Sequence, residues 1–311
     1  MEDQTGKKAG RAGVFKQIAP IFLLLMLLAA VVAVSGGTGT PSAIRPLQVH
    51  LAAQPYAYCT FPLLEDSSSR YDVTIEVRDA ALVDALKNGI PDAAIVSAQY
   101  LSQIDQDAYT AVAVTSFLNL AAVQNGGAAA SLYDLNGKEV ILPDTVRQTL
   151  EFKMLAALLA KTNVAPILLF EKEDALARRV QTGDFEFMIL PADKCAAVLL
   201  CNDKYRSCFD LSGQWAALMG TMPPAGSCLV IRKALLAQGS EHVLPLRKDM
   251  QTGIDYANAK HKKAAQLIVS LGLGTDAVYI MKTLPHCAFS YLEGAAKEEA
   301  LKQLSALSGG E

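Results

Sequence analysis

The chain has 311 residues, 51% hydrophobic and 19% charged. That is enough apolar material for one large domain or two smaller lobes with ordinary cores, and it excludes a polar, disordered chain. The formal charge of −3 argues against a nucleic-acid footprint, which would need a basic patch or stripe.

The first 40 residues stand apart. Lys7, Lys8, Arg11 and Lys16 precede an unbroken apolar run from Ile18 to Val34, followed by Ser35-Gly36-Gly37-Thr38-Gly39. A basic head, an apolar centre and small residues make an export signal. Positive charge before the run keeps the N-terminus inside and sends the rest of the chain outside the cytoplasmic membrane. Val31 and Ala33 permit cleavage, while a run of this length also serves as an uncleaved anchor. Residues 1–40 are therefore read as a signal peptide or a membrane anchor. No Cys directly follows the run, which argues against a lipid anchor.

From Leu47 onward, short apolar runs alternate with amphipathic stretches, as in an α/β fold. Leu47, Val49 and Leu51 alternate as a first strand, and Val73, Ile75 and Val77 as a second. A helix is predicted over 80–88, closed by Gly89 where a left-handed cap costs least, and a third strand over 93–96. The same order recurs 94 residues later, with Val73 registering on Ile167, Leu82 on Leu176, Gly89 on Gly183 and Ala94 on Met188. Val140-Ile141-Leu142 and a helix over 149–161 supply the start of this second half. Such a repeat predicts two similar α/β lobes. Each repeat is followed by a further apolar run, 111–115 flowing into 118–123, and 228–231 after Met222-Pro223-Pro224. If each run crosses to the opposite lobe, two hinge connections lie near 115–119 and 221–227. The expected division is 41–117 and 225–311 for the first lobe and 118–224 for the second. Leu246, Met250 and Ile254 mark a C-terminal helix, Ala264 to Val269 another, and Leu301, Leu304 and Leu307 a last one.

Six cysteines (Cys59, Cys195, Cys201, Cys208, Cys228 and Cys287) and four scattered histidines show no metal-ligand spacing. No metal site and no cofactor are expected, and six cysteines alone leave 15 possible pairings.

Several phrases in order carry a family resemblance. They are Asp134-Leu135-Asn136-Gly137-Lys138-Glu139-Val140, the stretch Leu176 to Leu190 around Gly183, Asp210-Leu211-Ser212-Gly213-Gln214-Trp215, Cys228 to Lys233, Ile254 to Asn258, and Leu284-Pro285-His286-Cys287. From about residue 47 to 308 the chain resembles the solute-binding proteins of ABC transporters in the nitrate, sulfonate, taurine and thiamine-precursor group, with the type II periplasmic-binding-protein fold. The resemblance implies an extracytoplasmic protein that captures a small organic ligand between its lobes and delivers it to a permease and its ATPase subunits. It also implies a disulfide between Cys228 and Cys287. Two loops depart from the family pattern. Ala53-Gln54-Pro55 stands where relatives often place Gly-Pro-Thr, and Pro143 to Thr149 replaces a Gly/Ser-rich turn.

Ligands of open α/β sheets bind beyond the carboxyl ends of the strands. Those ends nominate Gln54, Pro55 and Tyr56; Ser97 and Gln99; Ser116 and Asn119; Arg147, Gln148 and Thr149; and Asp193. Thr149 precedes an apolar-periodic helix as a good N-cap, and the first amides of such a helix suit an anionic group. Arg147 can grip a carboxylate, sulfonate or phosphate, or stand as a solvated loop charge. Tyr56 offers a face to a flat ligand, or packs partly buried within its lobe. The expected ligand is thus anionic or aromatic. No nucleophile elbow, phosphate loop or His-Glu-x-x-His is present, so no enzyme is read here. The alternative function is a membrane-tethered sensor or interaction module on the same fold.

Overall fold

A computed structural model describes residues 45–52, 55–65, 70–76 and 78–309. The segment read as signal or anchor lies outside the described residues. So do Gln54 of the candidate site and Val77 of the second strand. No helix among the described residues is long and apolar enough to cross a membrane.

The first half runs β1 (Leu47–Leu51), a 3-10 turn (Tyr56–Thr60), α1 (Phe61–Glu65), β2 (Tyr71–Ile75), α2 (Asp79–Lys87), β3 (Ala93–Ser97) and β4 (Tyr109–Phe117). Then come β5 (Ala121–Asn125), β6 (Glu139–Pro143), α3 (Leu150–Thr162), β7 (Ile167–Glu171), α4 (Glu173–Thr182), β8 (Phe187–Leu190), α5 (Ala192–Cys201), β9 (Tyr205–Asp210) and α6 (Leu211–Met219). The chain ends with β10 (Ala225–Arg232), α7 (Lys233–Ala237), α8 (Ser240–Ala259), α9 (His261–Ser270), α10 (Ala277–Thr283), β11 (Phe289–Leu292) and α11 (Gly294–Ser308).

These strands form a mixed α/β fold with two sheets, ordered β11-β4-β10-β3-β1-β2 and β7-β6-β8-β5-β9. The two orders are the same device. In each, three parallel strands are followed by an antiparallel strand from elsewhere in the chain, β10 in the first sheet and β5 in the second. The repeated α2 and α4 end alike: Gly89 and Gly183 take φ of 64° and 73°, where a side chain would clash with the backbone. The second strand sits two residues earlier than its alternation suggested, because Tyr71 is buried and its hydroxyl donates to Asp249 at 2.7 Å.

The two passages between the sheets run side by side. Leu118 N donates to Pro224 O at 2.9 Å. A Cβ on Gly226 would lie 2.5 Å from the carbonyl of Phe117, so only glycine permits this approach.

Each sheet buries both faces. Leu229 and Ile231 of β10 join Val49, Leu51 and Ile95 beneath α8 and α9, whose residues Val243, Leu246, Met250 and Ile254 recur at helical spacing. Val230, Ala94 and Val96 face the other way, against Leu82 and Leu86 of α2. In the second sheet Val140, Leu142 and Ile189 pack on α3 and α6, where Trp215 is buried, and Ile141 and Met188 pack on α4 and α5.

The disulfide implied by the family resemblance is not formed. All six cysteines are free thiols. Cys228 alternates with Leu229 and so faces away from them, into the cluster with Trp215, whereas Cys287 lies with Cys59 in the cluster beneath α8. The first sheet itself separates the two sulfurs.

Candidate functional site

Beyond the carboxyl end of β1, Pro55 opens the 3-10 turn, and Tyr56 follows, half-buried between the two core clusters of the first sheet. Ser97, the last residue of β3, lies near enough to its hydroxyl to lower the phenol slightly. Burial, then the carboxylates of Glu151 and Asp79, push the Tyr56 phenol above its ordinary range. Glu151 belongs to the first turn of α3 in the second sheet's layer, so a charge of that layer is felt at Tyr56. Asp79, in the first turn of α2, is itself held above the usual carboxylate range by burial.

Thr149 caps α3, its hydroxyl accepting from Phe152 N at 3.3 Å and donating to Val146 O at 2.9 Å. Arg147 and Gln148 are exposed. The Arg147 guanidinium sits 4.3 Å from the Phe170 ring centre and 3.3 Å from Asp144 Oδ1, so its charge is already engaged. Glu151 in the same first turn offsets the helix dipole that was expected to favour an anion.

A second convergence lies at Asp193, in the first turn of α5. Its backbone carbonyl accepts from the Tyr279 hydroxyl of α10 at 3.0 Å. Buried Tyr58 stands nearby, its phenol raised first by burial and then by Tyr279, Cys287 and Asp193. Burial also pushes the Cys59 thiol up to about 12.

Asn119 ties the first passage between the sheets to both sides. Its amide donates to Asp210 Oδ1 at 3.2 Å and His286 O at 2.8 Å, and its oxygen accepts from Ser212 N at 3.0 Å. His286 Nδ1 meets the same Asp210 oxygen at 2.9 Å.

The structure thus sets Glu151 of α3 within electrostatic reach of Tyr56, and separately joins Asp193 to Tyr279. Ser116 is fully buried in the first sheet with its hydroxyl 2.7 Å from that of Ser227, and Gln99 is exposed on the turn after β3. Tyr58, Asp79, Glu151, Tyr279 and His286 were not nominated by the sequence. Asp79 and Glu151 had a usable signal, as acidic residues opening helices directly after strands. Among the described residues no group of three His, Cys, Asp or Glu side chains is placed to hold a metal ion. A groove of about 410 Å³ between α4 and α5, lined by Leu176, Ala177, Val180, Ala197, Val198 and Cys201 among others, contains none of these strand-end residues.

No protein-family model and no curated protein matches the sequence. Solved structures do match in fold. A crystal structure of an ABC transporter protein from Parabacteroides distasonis is 12% identical, with a TM-score of 0.66 over 86% of this chain and 95% of that one. The periplasmic aliphatic sulphonate-binding protein SsuA of Escherichia coli is 13% identical, with a TM-score of 0.59 over 84% and 86%. The alkanesulfonate-binding protein SsuA of Xanthomonas axonopodis pv. citri, bound to MOPS, is 14% identical, with a TM-score of 0.53 over 86% and 93%. The likeness is one of fold: this chain has the architecture of ABC-import solute-binding proteins.

Proposed function

We propose that the chain is the extracytoplasmic solute-binding component of an ABC-type importer. In this reading residues 41–117 and 225–311 form one lobe and 118–224 the other. A small organic ligand is captured where the strand ends of the two sheets converge, and is passed to a membrane permease and its ATPase. The segment at 1–40 serves as export signal or anchor. The observation that carries the reading is the shared strand order of the two sheets, joined by two passages that run side by side. Capture rather than catalysis is the assigned role.

Tyr56 offers a face to an aromatic body, while Asp79 and Glu151 beside it oppose an anionic group at that end. Arg147 is the cation available to an anion, at the cost of its contact with Asp144. Closure of one lobe on the other would follow from contacts that a ligand makes with both, a shift between two populations. The basic head and apolar run at Lys7 to Val34 favour one second reading, a membrane-tethered sensor on the same fold.

Thermal unfolding against a panel of sulfonates, nitrate, taurine, pyrimidines, amino acids and peptides tests the proposal. A ligand at a hundred times its dissociation constant adds about 2.7 kcal/mol. One compound that raises the midpoint, and loses that effect in Tyr56→Ala, supports capture at this site. No shift across the panel rejects these ligand classes, and turnover of a bound compound rejects the non-enzymatic reading.

A further inference from the structure

The two sheets are joined by more than the two passages between them. On one side α10, from the C-terminal segment, packs along α5 of the second sheet. There Ala192 of α5 is buried within the first sheet's own core cluster, and the Tyr279 hydroxyl reaches Asp193 O at 3.0 Å. At the end of that helix, His286 meets Asp210 at 2.9 Å, and Asn119 bridges His286 O and Asp210. On the opposite faces α11 packs against β4 and β10 of the first sheet and also against α3 of the second. Its Ala300 and Leu304 are buried in one cluster that holds Val114 and Cys228 of the first sheet with Val140, Leu155 and Trp215 of the second.

The two bridges differ in kind. The α11 bridge is an apolar core, and separating it would expose buried Leu304, Leu155 and Trp215 together. The α10–α5 bridge is mixed. Tyr279 and Asp193 are half-buried there, and polar contacts replace part of the apolar packing. Polar contacts exchange with water at little net change, so they are the easier to release.

We propose that α10 is a latch on α5. The contact between the two layers is held by the protein's own side chains, and release of α10, with α11 staying in place as the pivot, opens the site. The latch concerns access to the site assigned above and in that respect rests on that reading, but its test needs no ligand. Closure of this kind reduces the apparent affinity of any ligand that enters the open form, by the fraction of molecules that are open.

Hydrogen–deuterium exchange on the full-length chain, with no ligand added, reads the latch directly. In the wild type, amides of α10 and α5 are expected to exchange slowly. Tyr279→Phe removes one ordinary hydrogen bond and is expected to speed their exchange about three- to tenfold. Ala192→Asp, which places a charge in the contact, is expected to speed it further. In both variants α11 and the central strands keep the wild-type rate. Fast exchange of α10 and α5 in the wild type overturns the proposal. Unchanged exchange in both variants, or acceleration spread evenly through the molecule, also overturns it. If the latch behaves as described and no solute ever binds, the functional reading fails and the latch stands.

Discussion

Gly253→Ala sets helix propensity against packing at one position. Gly253 lies inside α8, where glycine is about 1 kcal/mol worse than alanine, so local propensity alone predicts a more stable protein. The structure predicts the reverse. A Cβ there would stand 2.0 Å from the carbonyl oxygen of Cys59 and 2.9 Å from Pro62 Cδ. Ordinary carbon contacts lie at about 3.5 Å, so α8 and the 3-10 turn must separate by more than an ångström. Phe61, Met250 and Ile254 pack across that contact. Overpacking of this kind costs about 1–3 kcal/mol and sometimes more. With the propensity gain subtracted, the variant should lose up to about 2 kcal/mol, and more if the helix cannot shift. Its thermal midpoint should fall by up to about 8 °C. Gly213→Ala in α6 is the internal control. Nothing lies within 4 Å of its added Cβ, so it should be neutral or stabilising by up to about 1 kcal/mol. Differential scanning calorimetry of both variants decides the matter. A midpoint for Gly253→Ala above wild type, raised as much as in Gly213→Ala, would refute the close approach of α8 to the turn that carries Tyr56 and Tyr58.

Thr149→Ala should cost about 1 kcal/mol through loss of the α3 cap, visible in calorimetry and largely restored by Thr149→Ser. Asn119→Ala leaves His286 O and Ser212 N without their partner and should cost about 1–3 kcal/mol. Urea unfolding should show this as a lower midpoint with unchanged slope, and a midpoint equal to wild type would contradict the tie. A thiol reagent should modify exposed Cys201 readily and half-buried Cys208 slowly in the native protein, and all six cysteines after unfolding. Two fewer thiols in the unfolded, unreduced chain would reinstate a disulfide. The hydrogen bond from Arg247 to Glu293, 2.8 Å from Nε to Oε1, holds the Glu293 carboxyl below its usual range. A folded-state value below the unfolded one stabilises above about pH 4.3 and is lost as pH falls through the folded value. The stability gap between wild type and Glu293→Gln should therefore narrow on acidification through that window, and a constant gap would argue against the pair.

The repeat was legible because its punctuation is local. Gly89 and Gly183 mark helix ends by a backbone geometry that few other residues take, and the strands between them are continuous apolar runs. Ends of strands were less legible. The apolar run at 111–115 did not show that β4 continues to Phe117, which puts Ser116 inside the ladder beside Ser227 instead of at a free strand end. Short elements escaped altogether: β9 mixes Arg206 and Ser207 with apolar residues, and α10 spans only Ala277–Thr283. With α10 unseen, Tyr279 and His286 could not be placed near the site. Arg147 was nominated for its charge, but whether a charge is free depends on neighbours such as Asp144 and Phe170. Asp144 is near in sequence; Phe170 comes close only once β6 and β7 have paired.

The late insertion of β10 between β3 and β4 governs how the first sheet folds. As the chain emerges from the ribosome, β1 to β4 appear early, yet β10, which lies between β3 and β4, arrives more than a hundred residues after them. Until it does, β3 and β4 have no hydrogen bonds to each other, and each presents an open edge to other chains. Contacts of such long sequence separation form slowly. The chain should therefore pass through an aggregation-prone interval that ends only when residues 225–232 insert. A truncation just before Ala225 would leave the second sheet with all five of its strands and the first without β10 and β11.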